Sequence, residues 1–148
     1  MRNKRTNLVD SALGLVFGII GGGILCSFFQ LFQYPRHYTL DIILSVAMLP
    51  ILEETMKYLP LRLSLFKENY ILIGLFVGLG FALIENFQYL FIWYNRYGNV
   101  PFDSRIKATI LHTATGIILG YFVSKKKSWL GLLLAIMFHS LFNFFIGF

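Results

Sequence analysis

Charged residues are scarce in this chain of 148 residues, of which 14% are Asp, Glu, Lys or Arg and 57% are hydrophobic. A soluble domain of this size carries about a quarter charged residues, so the composition argues against an ordinary water-soluble protein. The single cysteine, Cys26, excludes an internal disulfide and any metal site built from several cysteines. Long apolar runs are present instead, and they make the lipid bilayer the expected solvent.

Five apolar runs are long enough to cross a hydrocarbon core of roughly 30 Å, which takes about 20 residues. They use nearly the whole chain and leave no room for a soluble or sensory domain, so we expect one transmembrane domain over residues 1–148. The predicted fold class is all-α, a compact polytopic bundle of about five helices in the cell membrane. The predicted spans are about 9–32, 39–61, 70–94, 107–123 and 128–148.

The net charge of +6 comes from short clusters of Lys and Arg between the apolar runs. This distribution is typical of the positive-inside rule and does not indicate a nucleic-acid partner. A cytoplasmic N-terminus places eight of these cations on the cytoplasmic side and four outside. The eight are Arg2, Lys4, Arg5, Arg62, Lys67, Lys125, Lys126 and Lys127, and the four are Arg36, Arg96, Arg105 and Lys107.

Glycine recurs every fourth residue within three of the predicted spans. Small residues at this spacing let helix backbones approach closely, which favours packing between helices in lipid. The glycines predict a tight bundle and say nothing about its task. They are Gly14, Gly18 and Gly22 in the first span, Gly74 and Gly78 in the third, and Gly116 and Gly120 in the fourth.

Polar side chains inside the apolar runs are the strongest indication of a functional site. A charged carboxylate near the bilayer centre costs about 2.5–3.5 kcal/mol on insertion scales, so such groups are expected to face one another, a cation or enclosed water. Lys57 lies four residues after Glu53 and three after Glu54, so its ammonium can reach either carboxylate. The candidate residues are Glu53, Glu54, Glu85, His112, His139 and Asn143, with Lys57 and Asn86 in support.

The depth of these residues in the membrane predicts that they meet. If successive helices alternate in direction, most of them lie within roughly 7–14 Å of the outer boundary, at 1.5 Å per residue. Pro50 lies inside the second span, where it predicts a kink because proline lacks an N–H and crowds the carbonyl of Val46. A bent helix beside a wet cavity would suit a functional site, although many membrane helices kink for packing alone.

Carboxylates and imidazoles together are suited to activating water. A buried glutamate can take a proton from water, and a polar pair can stabilise the oxyanion formed when that water attacks an amide. Two histidines and a carboxylate could instead hold a catalytic Zn²⁺ with an open position. The sequence has no HExxH motif, so a zinc site would have to be assembled from separate helices.

Four motifs, in this order, resemble PrsW-type intramembrane proteases, relatives of the CAAX prenyl endopeptidases and the bacteriocin-processing (CPBP or Abi) membrane proteins. They are "EETMK" at 53–57, "FALIEN" at 81–86, the isolated membrane histidine His112, and "HSLFN" at 139–143. The resemblance covers about residues 48–148. In the prenyl endopeptidase branch the second motif is FxxxH, whereas this chain has Phe81 followed four residues later by Glu85. That branch also has an arginine one residue after the position at which this chain has Lys57.

The resemblance implies hydrolysis of a peptide bond in a membrane-protein substrate, such as site-1 cleavage of an anti-sigma factor. It implies that Glu53 is the water-activating base, with Glu54 as its partner, and that His139 and Asn143 stabilise the oxyanion. The family has been described both as metalloproteases and as glutamic proteases. If zinc is present, the expected ligands are Glu85, His112 and His139.

Two other functions fit the same residues. Buried glutamates and histidines could relay charge in a proton- or ion-coupled transporter, although the sequence shows no internal repeat of the kind many transporters use. A catalytically silent immunity or scaffold protein could bind a partner helix with the same bundle. The sequence indicates neither the oligomeric state nor the identity of the substrate.

Overall fold

The computed structural model of the chain describes residues 4–30, 43–63, 69–99 and 102–146. The part described is helical except at short connections such as residues 98–99 and 125–127, as predicted for an all-α membrane bundle. A π-helical segment, Leu44–Met48, leads directly into the second α-helix. The α-helices are α1 (Lys4–Gln30), α2 (Leu49–Arg62), α3 (Tyr70–Tyr97), α4 (Phe102–Ser124) and α5 (Ser128–Ile146).

Four helices of the described part are long and apolar enough to span a membrane, which makes the chain a multi-pass membrane protein. Their apolar stretches are Leu8–Leu25, Tyr70–Asn95, Phe102–Ser124 and Ser128–Ile146. The predicted span 39–61 corresponds to the π-helical segment and α2, which carry the two adjacent glutamates. The first residues of that span, and the last residues of the predicted spans 9–32 and 128–148, lie outside the described part of the chain.

Glycines bring the backbones of α3 and α4 into direct contact. A Cβ atom added at Gly74 would lie against the backbone of Gly116, and one added at Gly78 against the backbone of His112. A Cβ at Gly120 would meet the backbone of Tyr70 in the same way. Residue numbers therefore rise along α3 as they fall along α4, so the two helices are antiparallel and His112 is held close to α3.

The first helix packs on the opposite flank of α3 through another set of glycines. Gly18 faces the backbone of Val77, and Gly22 faces Phe81 and Ile84. Here both numbers rise together, so α1 runs parallel to α3. These directions agree with the alternation expected of successive spans. The location of the N-terminus in the cytoplasm stays a prediction.

The apolar core lies where α2, α3, α4 and α5 meet. Its members are Leu61, Ile73, Val77, Leu119 and Ala135, all fully buried. Near this core, Glu54 and Lys57 are also fully buried. Burying a charged pair is costly unless the partners are close and hydrogen-bonded, and the contacts of these residues meet that condition.

Candidate active site

The helix that carries the glutamate pair begins with a change of helical register. The N–H of Leu49 donates to the carbonyl of Leu44, five residues back, as in a π-helix. Pro50 follows and cannot donate, so the wide turn ends there and α2 continues in the α register. In α2, Glu54 and Lys57 are three residues apart, which places both side chains on the face that meets α4 and α5.

Three donors converge on one oxygen of Glu54. Its Oε1 lies 2.6 Å from Lys57 Nζ, 2.7 Å from His139 Nδ1 and 3.2 Å from Thr115 Oγ1. A carboxylate only accepts hydrogen bonds, so His139 carries a proton on Nδ1, and in the neutral ring this leaves the lone pair of Nε2 available. Glu54 therefore fixes the orientation and tautomer of His139.

The second glutamate of the pair has a different environment. Glu53 Oε2 lies 3.6 Å from Nε2 of His139. This oxygen is buried and has no hydrogen-bond partner in the part of the chain that the structure describes. Adjacent in sequence, the two carboxylates differ in their contacts: Glu54 Oε1 accepts from three protein donors, whereas Glu53 Oε2 faces Nε2 of His139. Glu54 Oε2, like Glu53 Oε2, is buried and has no hydrogen-bond partner among the described residues.

Lys57 links the glutamate pair to His112. Its ammonium lies 2.7 Å from His112 Nδ1 and 3.3 Å from Thr115 Oγ1, and it sits 4.8 Å from the centre of the Phe81 ring. Because an ammonium group only donates, His112 Nδ1 accepts, and the proton of the neutral ring is on Nε2. That nitrogen contacts Glu85 Oε2.

Arg105 extends the network beyond the residues expected from the sequence. Its Nη1 donates to Glu85 Oε1 at 3.1 Å, and its guanidinium lies 3.8 Å from the centre of the Tyr89 ring. The sequence placed Arg105 only among the flanking cations. Twenty residues separate it from Glu85, and the helical spacing within one span could not reveal a pairing across two helices.

Thr115 is the other site residue that was not predicted. Its Oγ1 lies 3.2 Å from both Glu54 Oε1 and the backbone carbonyl of His112, so its single hydroxyl proton is within donating distance of either acceptor. A signal was present in the sequence, since Thr115 follows His112 by three residues and shares its helix face.

Two predicted residues have contacts away from the carboxylate cluster. Asn86 donates to Thr109 Oγ1 at 2.7 Å and so joins α3 to α4. Asn143 donates through Nδ2 to the backbone carbonyl of Ser45 at 2.8 Å, in the π-helical segment. The resemblance gives His139 and Asn143 one shared role, but the two side chains contact different segments. His139 contacts Glu54 in α2, and Asn143 contacts Ser45 in the π-helical segment before it.

A group of three side chains has the donors and spacing for a metal ion. Glu53, His112 and His139 each offer one ligand atom, and these atoms lie within 4.8 Å of one another. One carboxylate and two imidazoles are a ligand set used by catalytic zinc. The buried oxygen of Glu53 and the free lone pair of His139 Nε2 fit this role. The predicted set shares both histidines but has Glu85, which contacts His112, in place of Glu53.

This chain is similar to known proteins over most of its length. Over 137 residues the chain is 28% identical to "Protease PrsW" of Clostridioides difficile (strain 630), a match that covers 78% of this chain and 56% of that protein. The chain thus spans little more than half the length of this relative. No solved structure is similar enough to count as a match. Residues 5–148, which include every helix described above, match the family described as PrsW family intramembrane metalloprotease, and the chain belongs to that family.

Proposed function

We propose that this chain is an intramembrane endopeptidase that hydrolyses a peptide bond of a membrane-protein substrate, with residues 1–148 forming its transmembrane catalytic domain. The observation that carries the proposal is the position of Glu53. Its buried Oε2 lies beside the unprotonated Nε2 of His139 and has no protein hydrogen bond within the described chain. An unpaired buried carboxylate oxygen is costly, and water or an ion between these two groups would satisfy both.

Glu53 is the residue best placed to act as general base. A water molecule between Glu53 and His139 gives its proton to the carboxylate while its oxygen bonds to the carbonyl carbon of the substrate. The C–N bond then breaks as the leaving nitrogen takes a proton, which Glu53 can return. We assign Glu54 the supporting part, because its Oε1 accepts from three donors and orients His139.

The surrounding residues keep the reacting groups in place. Lys57 holds Glu54 and His112 at once, and Arg105 holds Glu85 against His112. Groups locked in this way need little reorganisation during the reaction, which is how a preorganised site lowers a barrier.

The same residues suit a zinc-dependent reaction, as the description of the family implies. His112 and His139 would hold the ion with a carboxylate from Glu53 or Glu85. Bound there, Zn²⁺ supplies Lewis-acid polarisation of water and of the substrate carbonyl. Ligation by His112 Nε2 would require its ring proton to move to Nδ1, where Lys57 Nζ now lies.

The substrate we propose is a membrane protein cut near the end of its transmembrane segment. Site-1-type cleavage of a membrane-bound anti-sigma factor is the specific case implied by the sequence motifs. The order of those motifs also supports a wider relationship to the CAAX prenyl endopeptidases and bacteriocin-processing proteins.

The test compares the membrane proteomes of cells that express the chain or its Glu53→Gln variant, by mass spectrometry of new protein termini. We expect new termini near transmembrane boundaries with the unchanged chain and none with Glu53→Gln, although that variant still inserts. Asp103→Asn is the matched control, since Asp103 is 83% exposed. New termini that persist with Glu53→Gln would remove Glu53 as the base.

The metal content of the purified protein separates the two versions of the mechanism. A zinc enzyme should contain about one equivalent of zinc and lose activity to a chelator. If Glu53→Gln keeps its zinc but loses cleavage, Glu53 is the base, and if the zinc is lost as well, Glu53 is a ligand. Full activity of metal-free protein would show that the carboxylates catalyse the reaction without zinc.

A further inference from the structure

We propose that Asn143 is a positioning residue that replaces the hydrogen bond which Pro50 cannot make, and thereby fixes the glutamate pair relative to His139. The catalytic part of this inference rests on the proposed function, whereas the hydrogen bond can be tested without it. This role differs from the oxyanion role that the sequence motifs imply for Asn143.

The first step is the register of the π-helical segment. Leu49 N–H donates to Leu44 O, five residues back. In the same register the next backbone donor would be that of residue 50, and its acceptor would be the carbonyl of Ser45. Residue 50 is proline and has no N–H. The sequence predicts this effect at Val46, four residues back, for an α-helical register, whereas in the π register of the preceding turn the corresponding carbonyl is that of Ser45.

The second step is that the side chain of Asn143 reaches this same carbonyl. Its Nδ2 donates to Ser45 O at 2.8 Å, across 98 residues of sequence. Inside a membrane, a carbonyl that loses its helical donor is tolerated when a neighbouring helix supplies a replacement. Asn143 donates to the carbonyl that residue 50, being proline, cannot reach with a backbone N–H.

The third step is the position of Asn143 on α5. Asn143 follows His139 by four residues, so the two side chains project from the same face one turn apart. His139 contacts Glu54 at 2.7 Å, and Asn143 contacts the segment that precedes the glutamate pair. Two polar contacts one turn apart fix both the rotation and the translation of the second helix against α5, which a single contact would not.

The distance between Glu53 and His139 depends on this register. Their facing atoms are 3.6 Å apart, so a shift of about 1 Å in the second helix would change the space for a reacting water. Displacements of that size can cost on the order of 10²-fold in rate. Asn143 thus acts on the reaction through the helix that carries Glu53, without touching the reacting atoms.

The test is a double-mutant cycle between Asn143 and Pro50. Asn143→Ala should lower the melting temperature in detergent by a few degrees, and should lower the cleavage rate by roughly tenfold or more. Pro50→Ala returns a backbone N–H that can donate to Ser45 itself. In the Asn143→Ala background it should therefore recover most of the lost melting temperature and at least half of the lost rate on a logarithmic scale.

The matched control uses the second proline of α2. Pro60→Ala returns an N–H to the same helix, ten residues further on and away from Ser45. It should give no recovery in the Asn143→Ala background. Asn143→Leu, which keeps the size of the side chain, replaces Asn143→Ala throughout if the smaller variant does not accumulate, and Pro50→Ala should then restore its stability.

The outcomes separate this inference from the proposed function. Recovery of the melting temperature by Pro50→Ala supports the hydrogen-bond replacement even if the chain cleaves nothing. It would be overturned if the losses of melting temperature in Asn143→Ala and Pro50→Ala simply added in the double variant, or if Pro60→Ala gave the same recovery as Pro50→Ala. Recovery of stability without any recovery of the cleavage rate would overturn the positioning role and return Asn143 to direct contact with the substrate.

Discussion

His139 and Glu54 are joined across 85 residues of sequence by a 2.7 Å contact between Nδ1 and Oε1, with both side chains buried. This contact assigns different tasks to two glutamates that are neighbours in the chain. Glu54 orients the imidazole, and the nitrogen that it leaves unprotonated faces Glu53. A carboxylate behind a histidine in this way is a common support of metal-binding and water-activating imidazoles.

Replacing Glu54 should impair the site less completely than replacing Glu53. Glu54→Gln keeps the size of the side chain but weakens the hold on His139 Nδ1, so we expect a 10- to 100-fold loss of zinc affinity or cleavage rate. Glu53→Gln should abolish cleavage. Titration with zinc and a cleavage assay on both variants check this. A Glu54→Gln protein with no activity, beside an active Glu53→Gln protein, would reverse the two roles.

Removing the buried cation should destabilise the fold. Lys57→Met leaves Glu54 without its ammonium partner, and breaking a buried ion pair in this way costs about 3–5 kcal/mol. We expect the melting temperature in detergent to fall by about 10 °C. Adding Glu54→Gln removes the uncompensated charge and should recover part of the loss.

The exposed pair of Lys107 and Asp103 provides the control for that experiment. Its atoms are as close, at 2.6 Å, but its side chains are 48% and 83% exposed. Lys107→Met should therefore change the stability by less than about 1 kcal/mol. Equal effects of Lys57→Met and Lys107→Met would show that Lys57 contributes no special stabilisation.

Adding a methyl group at Gly78 should disturb the site by displacing the backbone of α4 at His112. A Cβ there would lie 2.9 Å from the carbonyl carbon of His112, and the backbone of α4 would have to move. We expect Gly78→Ala to cost about 1–3 kcal/mol and to lower the cleavage rate, because His112 moves with its helix.

Gly23→Ala is the matched control for this change. Its Cβ would lie 3.6 Å from the side chain of Ile84, an ordinary contact. Alanine also favours a helix over glycine by up to about 1 kcal/mol, so this variant should be as stable as the unchanged protein or slightly more so. If Gly78→Ala behaved in the same way, the backbone contact between α3 and α4 would not constrain His112.

The sequence predicted the class of fold because composition and run length alone determine what can lie in a bilayer. It also picked out the groups that now lie together, including Glu54, Lys57 and His139, since buried ionisable residues are costly enough to be conspicuous in an apolar chain. Pairings across helices could not be predicted. The contact of Arg105 with Glu85 and that of Asn143 with Ser45 depend on helix rotation and register, which no spacing within one span reveals.

The zinc ligands predicted from the sequence include Glu85, whereas the structure groups Glu53 with the two histidines. The difference has the same cause, because it depends on contacts between helices. Glu85 and Glu53 are equally plausible ligands while only their depth is known. The structure separates them by contacts: Glu85 is paired with Arg105 through Oε1 and contacts His112 through Oε2, whereas Glu53 Oε2 lies 3.6 Å from Nε2 of His139.

The π-helical segment determines where the chain tolerates the loss of one residue. A π turn holds one residue more than an α turn between the same two hydrogen-bonded levels. Deleting a single residue from 46–48 would let the helix close into the α form while the turns on either side keep their facing. Deleting one residue between Pro50 and Glu53 would instead rotate the glutamates by about 100° relative to Ser45, since one turn of α-helix takes 3.6 residues. Asn143 and His139 could then no longer hold Ser45 and Glu54 at the same time, although every side chain of the reaction centre remained in the sequence.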